Sequence, residues 1–250
     1  MNFFLLSLII LVIALLMTMT GRGGGNFYVL ALAFSGISMH EAATTGQFIL
    51  IISSLAATIS FGKRKVTDWK LVLFIGSLCL LSAFFGGMFS GMFQDKWLKI
   101  IFAVFIFLAS LLMLRPGSKE KDSLGAPKMN YFLVVPVVLL TGFVSGMVGI
   151  SGGSFLVPLL ILVLRVPVHV AVGTSTTLVL ITASSGFLGH LSSGHFDFRM
   201  ALPLAVAGLV GGILGARMTF NFKANRIKLL FAVTSFIAAI LMMMNALQIK

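Results

Sequence analysis

The chain has 250 residues, 59% of them hydrophobic and 10% charged, and its mean hydropathy is +1.12. A soluble domain carries about 25% charged residues, so this composition excludes a water-soluble enzyme or binding module and implies a polytopic membrane protein. The net charge of +12 comes from basic residues scattered through short loops, which reads as membrane topology and contact with anionic lipid rather than nucleic-acid binding.

Residues 2–19 are apolar with no positive segment ahead of them, so they read as a retained first helix rather than a signal peptide. A glycine cluster, Gly21-Arg22-Gly23-Gly24-Gly25-Asn26, opens a short segment at 26–38, followed by spans at 42–61, 70–92 and 97–114. The linker RPGSKEKDSLGAPK from Arg115 to Lys128 mixes proline, glycine and both charge signs, and it divides the chain. We therefore expect a first membrane repeat at 1–114, a cytoplasmic linker at 115–129 and a second repeat at 130–250. The second half runs from a span at 130–148 through a second glycine cluster and a short segment at 155–166 to spans at 171–190, 200–218 and 227–247. The short segments are half-helices, since a full crossing needs about 20 residues. Breaks at that depth survive only where protein or a wet cavity covers them.

The halves correspond in detail. Gly21 to Phe27 falls on Gly149 to Phe155 at an offset of 128, and Glu41 to Gln47 falls on His169 to Ser175 at the same offset. One residue of slippage later, Asp68 meets Asp197, and Leu98 to Val104 meets Ile227 to Val233. A repeat of this kind is expected of a two-fold transporter. If each half crosses five times, 14 of the 18 basic residues lie on one side and 4 on the other; with four crossings the split is 10 to 8. The positive-inside rule favours five. An odd count turns the second half upside down, with both termini extracytoplasmic. The expected fold is an all-α polytopic membrane protein of two inverted-topology repeats, each of about five helical segments. That makes 8–10 transmembrane helices, short broken half-helices included.

The repeated clusters are the candidate site. Gly24, Gly25, Gly152 and Gly153 allow close backbone approach and leave N–H groups free at a helix start, where anions bind. Asn26 and Ser154 suit N-cap positions and can donate to an oxyanion. Thr45 and Gln47 in the first half, and Thr174, Ser175 and Thr176 in the second, can replace the hydration shell of a small oxyanion. Small-residue helix packing is the competing explanation for glycines, and it suits Gly142/Gly146, Gly87/Gly91, Gly208/Gly212 and Gly211/Gly215. Hydroxyls bonding back to the preceding turn is the competing explanation for the threonines.

Ionisable groups near the motifs are Arg22, His40, Glu41, His169 and His190, candidates for proton coupling or anion contact. Arg22 and Arg165 also fit the positive-inside pattern. His195 sits in a loop and gets no role. Five of the six acids fall in predicted loops and only Glu41 lies in a motif, which suits an anion better than a cation. Four histidines and one mid-span cysteine, Cys79, show no ligand spacing, so no metal or cofactor is expected. No P-loop is present, which leaves the membrane potential or protons as the energy source.

The stretch GMVGISGGSFLVPLLIL, the P-x-H-x-A-x-G-T-S pattern at 167–175, His190 and GHFD at 194–197 resemble the TauE/SafE sulfite exporter family of bacterial permeases. The resemblance covers both halves and implies a multi-pass inner-membrane protein that moves sulfite, organosulfonates or related sulfur anions. The first half departs from the pattern, with Leu30 where the second has Pro158 and Thr45-Gly46-Gln47 where it has Gly173-Thr174-Ser175. The expectation is an exporter of a small anion, working by alternating access between the repeats within the lipid bilayer; homo-oligomerisation is left open. An anion channel and a non-transporting scaffold are the alternatives.

Overall fold

The computed structural model describes residues 3–94, 96–97, 100–101, 103–104, 107–108, 111, 131–150, 152–191 and 196–248. The expected linker at 115–129 and part of the span at 97–114 lie outside them. Among the described residues the chain is all-helical: α1 (Phe3–Thr18), α2 (Gly25–Phe34), α3 (Met39–Lys63), α4 (Trp69–Phe89), α5 (Tyr131–Val148), α6 (Gly153–Pro158), α7 (Val168–Leu191), α8 (Phe198–Met218) and α9 (Ala224–Gln248). Five of these are long and apolar enough to cross a membrane: α3, α4 with its extension to Met92, α7, α8 with its extension to Asn221, and α9. The other four are shorter apolar helices.

Equivalent residues end equivalent helices. Gly21 (φ 76°) stops α1 and Gly149 (φ 74°) stops α5, both in the left-handed region that only glycine enters cheaply. Behind each turn the chain bonds back to the helix, Arg22 N to Met17 O at 3.2 Å and Ile150 N to Ser145 O at 3.1 Å. These are Schellman closures. The half-helix α2 closes the same way on Gly36 (φ 88°), with Ile37 N reaching Leu32 O. In the second half Pro158 lacks an N–H, and the ladder widens after it into a π-turn over Leu159–Val163. That segment ends on Arg165 (φ 55°), which stands exposed.

The starts match as well. Asp68 caps α4 and Asp197 caps α8, each side chain accepting from the N–H groups two and three residues on. Ser38 caps α3 by accepting from Glu41 N at 3.3 Å, so α3 starts three residues before the expected 42 and takes His40 and Glu41 into its first turn. Ser38 with Glu41 is half of a capping box, a local reason for an acid at that position.

Packing between the halves is reciprocal. α4 lies against α5 and α7, α8 lies against α1 and α3, and α3 crosses α7. With α1, α3 and α4 corresponding to α5, α7 and α8, each contact has its counterpart, as a two-fold relation produces. Small residues set these distances. Gly208 and Gly212 face Ile49 and Ser53 of α3, while Gly211 and Gly215, three residues on, face Leu11, Ala14 and Leu15 of α1. Gly142 and Gly146 meet Cys79 and Ala83 of α4, which gives buried Cys79 its packing role. The expected Gly87/Gly91 pair is only half right: Gly87 packs on α7, but Gly91 has nothing within 4 Å. The helix ends there, and Gly91 falls in a 3-10 turn beyond the contact.

A Cβ at Gly212 would lie 2.5 Å from the Ser53 carbonyl, and backbone cannot move aside. Gly212→Ala should lose about 1–3 kcal/mol in thermal unfolding of the detergent-solubilised protein. Gly62→Ala, with open space around it, should leave stability unchanged or raise it by up to about 1 kcal/mol.

Candidate functional site

The two glycine turns meet at the centre of the protein. A Cβ at Gly153 would stand 2.7 Å from Gly21 O and 2.9 Å from Arg22 Cα, so the start of α6 rests directly on the turn before α2. Helices α3 and α7 cover the turns from either side. Gly21 presses on the Val172 backbone of α7, and Gly149 on the Ala43 backbone of α3. Neither site has room for a side chain.

Within this contact Asn26 Nδ2 donates to Ser154 Oγ at 2.7 Å, a bond between two equivalent residues of the repeat. Both are fully buried. Neither is the N-cap expected from the sequence. Gly24 and Gly152 take the cap positions without a side-chain cap bond, and Asn26 and Ser154 fall at the second helical residue. Gly24 is left-handed (φ 97°) and Gly152 is helical (φ −55°), and in both halves the side chain two residues on is left to find its equivalent. Gly25 and Gly153 open the two helices between cap and side chain.

A second pair of equivalents reaches across the halves. Ser175 Oγ donates to Gly21 O at 2.9 Å, and Gln47 Nε2 donates to Gly146 O at 3.3 Å. Gln47 is the longer side chain and reaches further back along the helix that ends at its turn. Its Oε1 is buried without a hydrogen-bond partner, as is Thr45 Oγ1. Thr174 and Thr176 are buried but turned elsewhere. Thr174 Oγ1 accepts from Asp68 N at 2.9 Å and ties α7 to the start of α4. Thr176 Oγ1 bonds back to Val172 O at 2.8 Å within its own helix. The structure therefore gathers Gly24, Gly25, Asn26, Gly152, Gly153, Ser154 and Ser175 into one closed cluster. Gln47 stands beside it, against Gly146.

Arg22 is 1% exposed, so it is not the solvated loop cation that the positive-inside count assumed. The left-handed turn carries its side chain inward against α9. There Nη1 donates to Thr234 Oγ1 at 3.1 Å and to Phe231 O at 3.3 Å, with the guanidinium 4.5 Å over the Phe231 ring. Such a buried cation is worth about 2 kcal/mol of cation–π attraction when desolvated.

The histidines divide between the two ends of the fold. His40 and Glu41, partly buried, lie in the first turn of α3. Arg64 follows the last residue of the same helix, roughly 36 Å away at 1.5 Å per residue. His169 belongs to that far end: it stacks on Phe220 (6.0 Å, 17°) beside Arg64, and Nε2 lies 3.3 Å from Phe222 O. His190, at the opposite end of α7, is buried between Gly146 O (2.7 Å from Nε2) and Ser90 Oγ (2.9 Å from Nδ1). His195 lies outside the described residues. Sequence reasoning missed Ser90, Thr234 and Ser145, whose buried hydroxyl has no partner. Only Ser145 carried a signal, standing just ahead of a glycine cluster. Among the described residues no group of three or more His, Cys, Asp or Glu is placed to hold a metal ion.

Ser154→Ala should leave the Asn26 amide buried without its acceptor and cost about 1–3 kcal/mol. Asn26→Ala combined with Ser154→Ala should cost less than the two single changes summed, by more than about 0.5 kcal/mol. Thermal unfolding of the four proteins reads the coupling, and strict additivity would remove the bond from the account.

The TauE/SafE sulfite exporter family matches residues 6–242. The chain is 28% identical to the probable membrane transporter protein YunE of Bacillus subtilis, over 93% of this chain and 94% of that one. It is 25% identical to the probable membrane transporter protein MJ0441 of Methanocaldococcus jannaschii, over 91% and 90%, and 24% identical to YdhB of Bacillus subtilis, named in the same words, over 96% and 99%. No solved structure matches the chain. The family and these relatives are transporters and not enzymes. With apolar helices long enough to span a bilayer and a family match running over nearly its full length, the chain belongs to the TauE/SafE sulfite exporter family and is a multi-pass membrane transporter.

Proposed function

We propose that the protein carries a small anion, a sulfur oxyanion such as sulfite or an organosulfonate, out of the cell by alternating access between two inverted repeats, 1–114 and 130–250, joined by the cytoplasmic linker 115–129. The observation that carries this reading is the Asn26–Ser154 bond, which joins the starts of two half-helices at the protein's centre. Both helix starts direct partial positive charge to that point, and the side chains there are neutral donors. Arg22, whose backbone touches Gly153, adds a buried positive charge nearby. When the halves separate, Asn26, Ser154, Ser175 and Gln47 exchange their partners across the repeat for the oxygens of the anion. Thr45, with a buried hydroxyl that lacks a partner, stands on the same helix as Gln47. Thr174 and Thr176 join only if their present bonds break.

The closed contact supports a carrier over a channel, since Asn26, Ser154, Ser175 and Gln47 are all buried and each bonds to protein. Direction follows from electrostatics. A membrane potential is worth about 2.3 kcal/mol per charge per 100 mV, so anion export is downhill in an inside-negative cell. We place the end with Lys63, Arg64, Lys65, Arg165, Arg217 and Lys223 in the cytoplasm, the protein in the inner membrane and both termini outside.

Sulfite, sulfoacetate or thiosulfate should raise the melting temperature of the purified protein, where chloride and acetate at equal concentration do not. At 100 times Kd the stabilisation is about 2.7 kcal/mol. The response should vanish in Asn26→Ala and Ser154→Ala. An equal response in both variants would displace the site, and unitary currents in planar bilayers would replace the carrier with a channel.

A further inference from the structure

His190 is 0% exposed and has hydrogen-bond partners for two charge states. Nε2 faces Gly146 O, and a carbonyl only accepts, so Nε2 carries a hydrogen in either state. Nδ1 faces Ser90 Oγ at 2.9 Å, and the same hydroxyl lies 2.7 Å from Gly87 O. With the ring neutral, the Ser90 hydroxyl donates to Nδ1. With a proton added at Nδ1, that N–H donates to Ser90 Oγ, and the hydroxyl hydrogen turns to Gly87 O. The two states differ by one proton and one hydroxyl rotation. Each leaves the ring nitrogens and the hydroxyl hydrogen bonded.

The Gly146 carbonyl links this ring to the candidate site. Besides His190 it receives Gln47 Nε2 at 3.3 Å and Gly149 N at 3.4 Å. Two lone pairs thus face three donors, and the bond at 2.7 Å from His190 is the shortest. A charged imidazole shortens and strengthens its own bond further. Gln47 is the donor most easily displaced, because its Oε1 has no partner to hold the amide. Gly186 makes the space: a Cβ there would stand 2.5 Å from Gln47 Nε2.

Among the described residues, few charged or titratable groups lie around His190. From α3 come His40 and, next to it in sequence, Glu41. The contacts from α4 and α5 are Ser90 and the Gly146 carbonyl, both uncharged. At the same end the start of α8 carries Asp197, engaged in capping, and Arg199. His40 is partly exposed, so the first turn of α3 offers a proton route from water toward the buried ring.

We propose that His190 is a proton-binding site linked to the anion site, the Gly146 carbonyl conveying the ring's charge state to Gln47. This rests on the reading of Gln47 as a substrate contact. Proton uptake at His190 releases the Gln47 amide for the anion, and anion binding at Gln47 leaves the carbonyl to the charged ring. Binding of each favours the other.

The test is a histidine-ring NMR titration of isotope-labelled protein in nanodiscs, with the His190 signals assigned by their loss in His190→Gln. The ring should take up a proton reversibly as the pH is lowered across the range in which the protein stays folded. Gln47→Ala, which leaves the carbonyl to His190, should raise its proton affinity about fivefold, the lower range of ordinary site–site coupling. Ser90→Ala removes the acceptor for Nδ1–H and should lower the affinity by a similar factor. Sulfite added to wild type should move the midpoint in the same direction as Gln47→Ala. A ring fixed in one tautomer across the range, or a titration that neither variant moves, overturns the proposal. A midpoint moved by Gln47→Ala but not by sulfite supports the relay and counts against the anion reading instead.

Discussion

Hydrocarbon offers no hydrogen bonds, so the chain can break its helices inside a membrane only where protein supplies the missing partners. The two glycine turns carry that requirement, and much of the fold answers it. Gly21 and Gly149 adopt left-handed angles that let the chain bond back to the helix just ended. Ser175 then reaches Gly21 O from the opposite half, and Gln47 reaches Gly146 O in return. These bonds need α3 and α7 to lie directly on the turns. Without glycine at 21 and 149, side chains would hold those helices off.

The close approach extends outward by the same means. Paired glycines on α8 face two different helices from adjacent stripes of one surface, and one glycine pair on α5 faces α4. Lipid gives these helices no hydrophobic reason to associate, so contact of backbones at small residues holds the bundle instead. The outcome is a perimeter of closely packed helices around a centre closed by a few hydrogen bonds.

The repeat offset of 128 was legible in the sequence, and it paired Asn26 with Ser154 and Gln47 with Ser175 before any contact was visible. The paired glycines on α8 were legible too, because helical spacing fixes which residues share a stripe. What the spacing could not say was where each stripe points. Asn26 and Ser154 read as caps because the glycines could equally have fallen before or after the helix start. Thr174 read as a site hydroxyl, though its partner is a loop N–H that lies 106 positions away. Ser90 gave no signal, since its importance comes wholly from a histidine 100 positions on. The halves also differ in sequence at a buried position. Residues Phe61 and Gly62 stand at the position matching His190, so the ring has no counterpart, although Thr219 keeps a hydroxyl at the position matching Ser90.

The central claim is that Asn26 and Ser154 hold the two halves closed and part during each transport cycle. Cysteines placed at both positions, in a protein with Cys79 replaced by alanine, test it most directly. Oxidative cross-linking in proteoliposomes should stop sulfite flux, and reduction should restore it. Full cross-linking with flux unchanged would contradict the account.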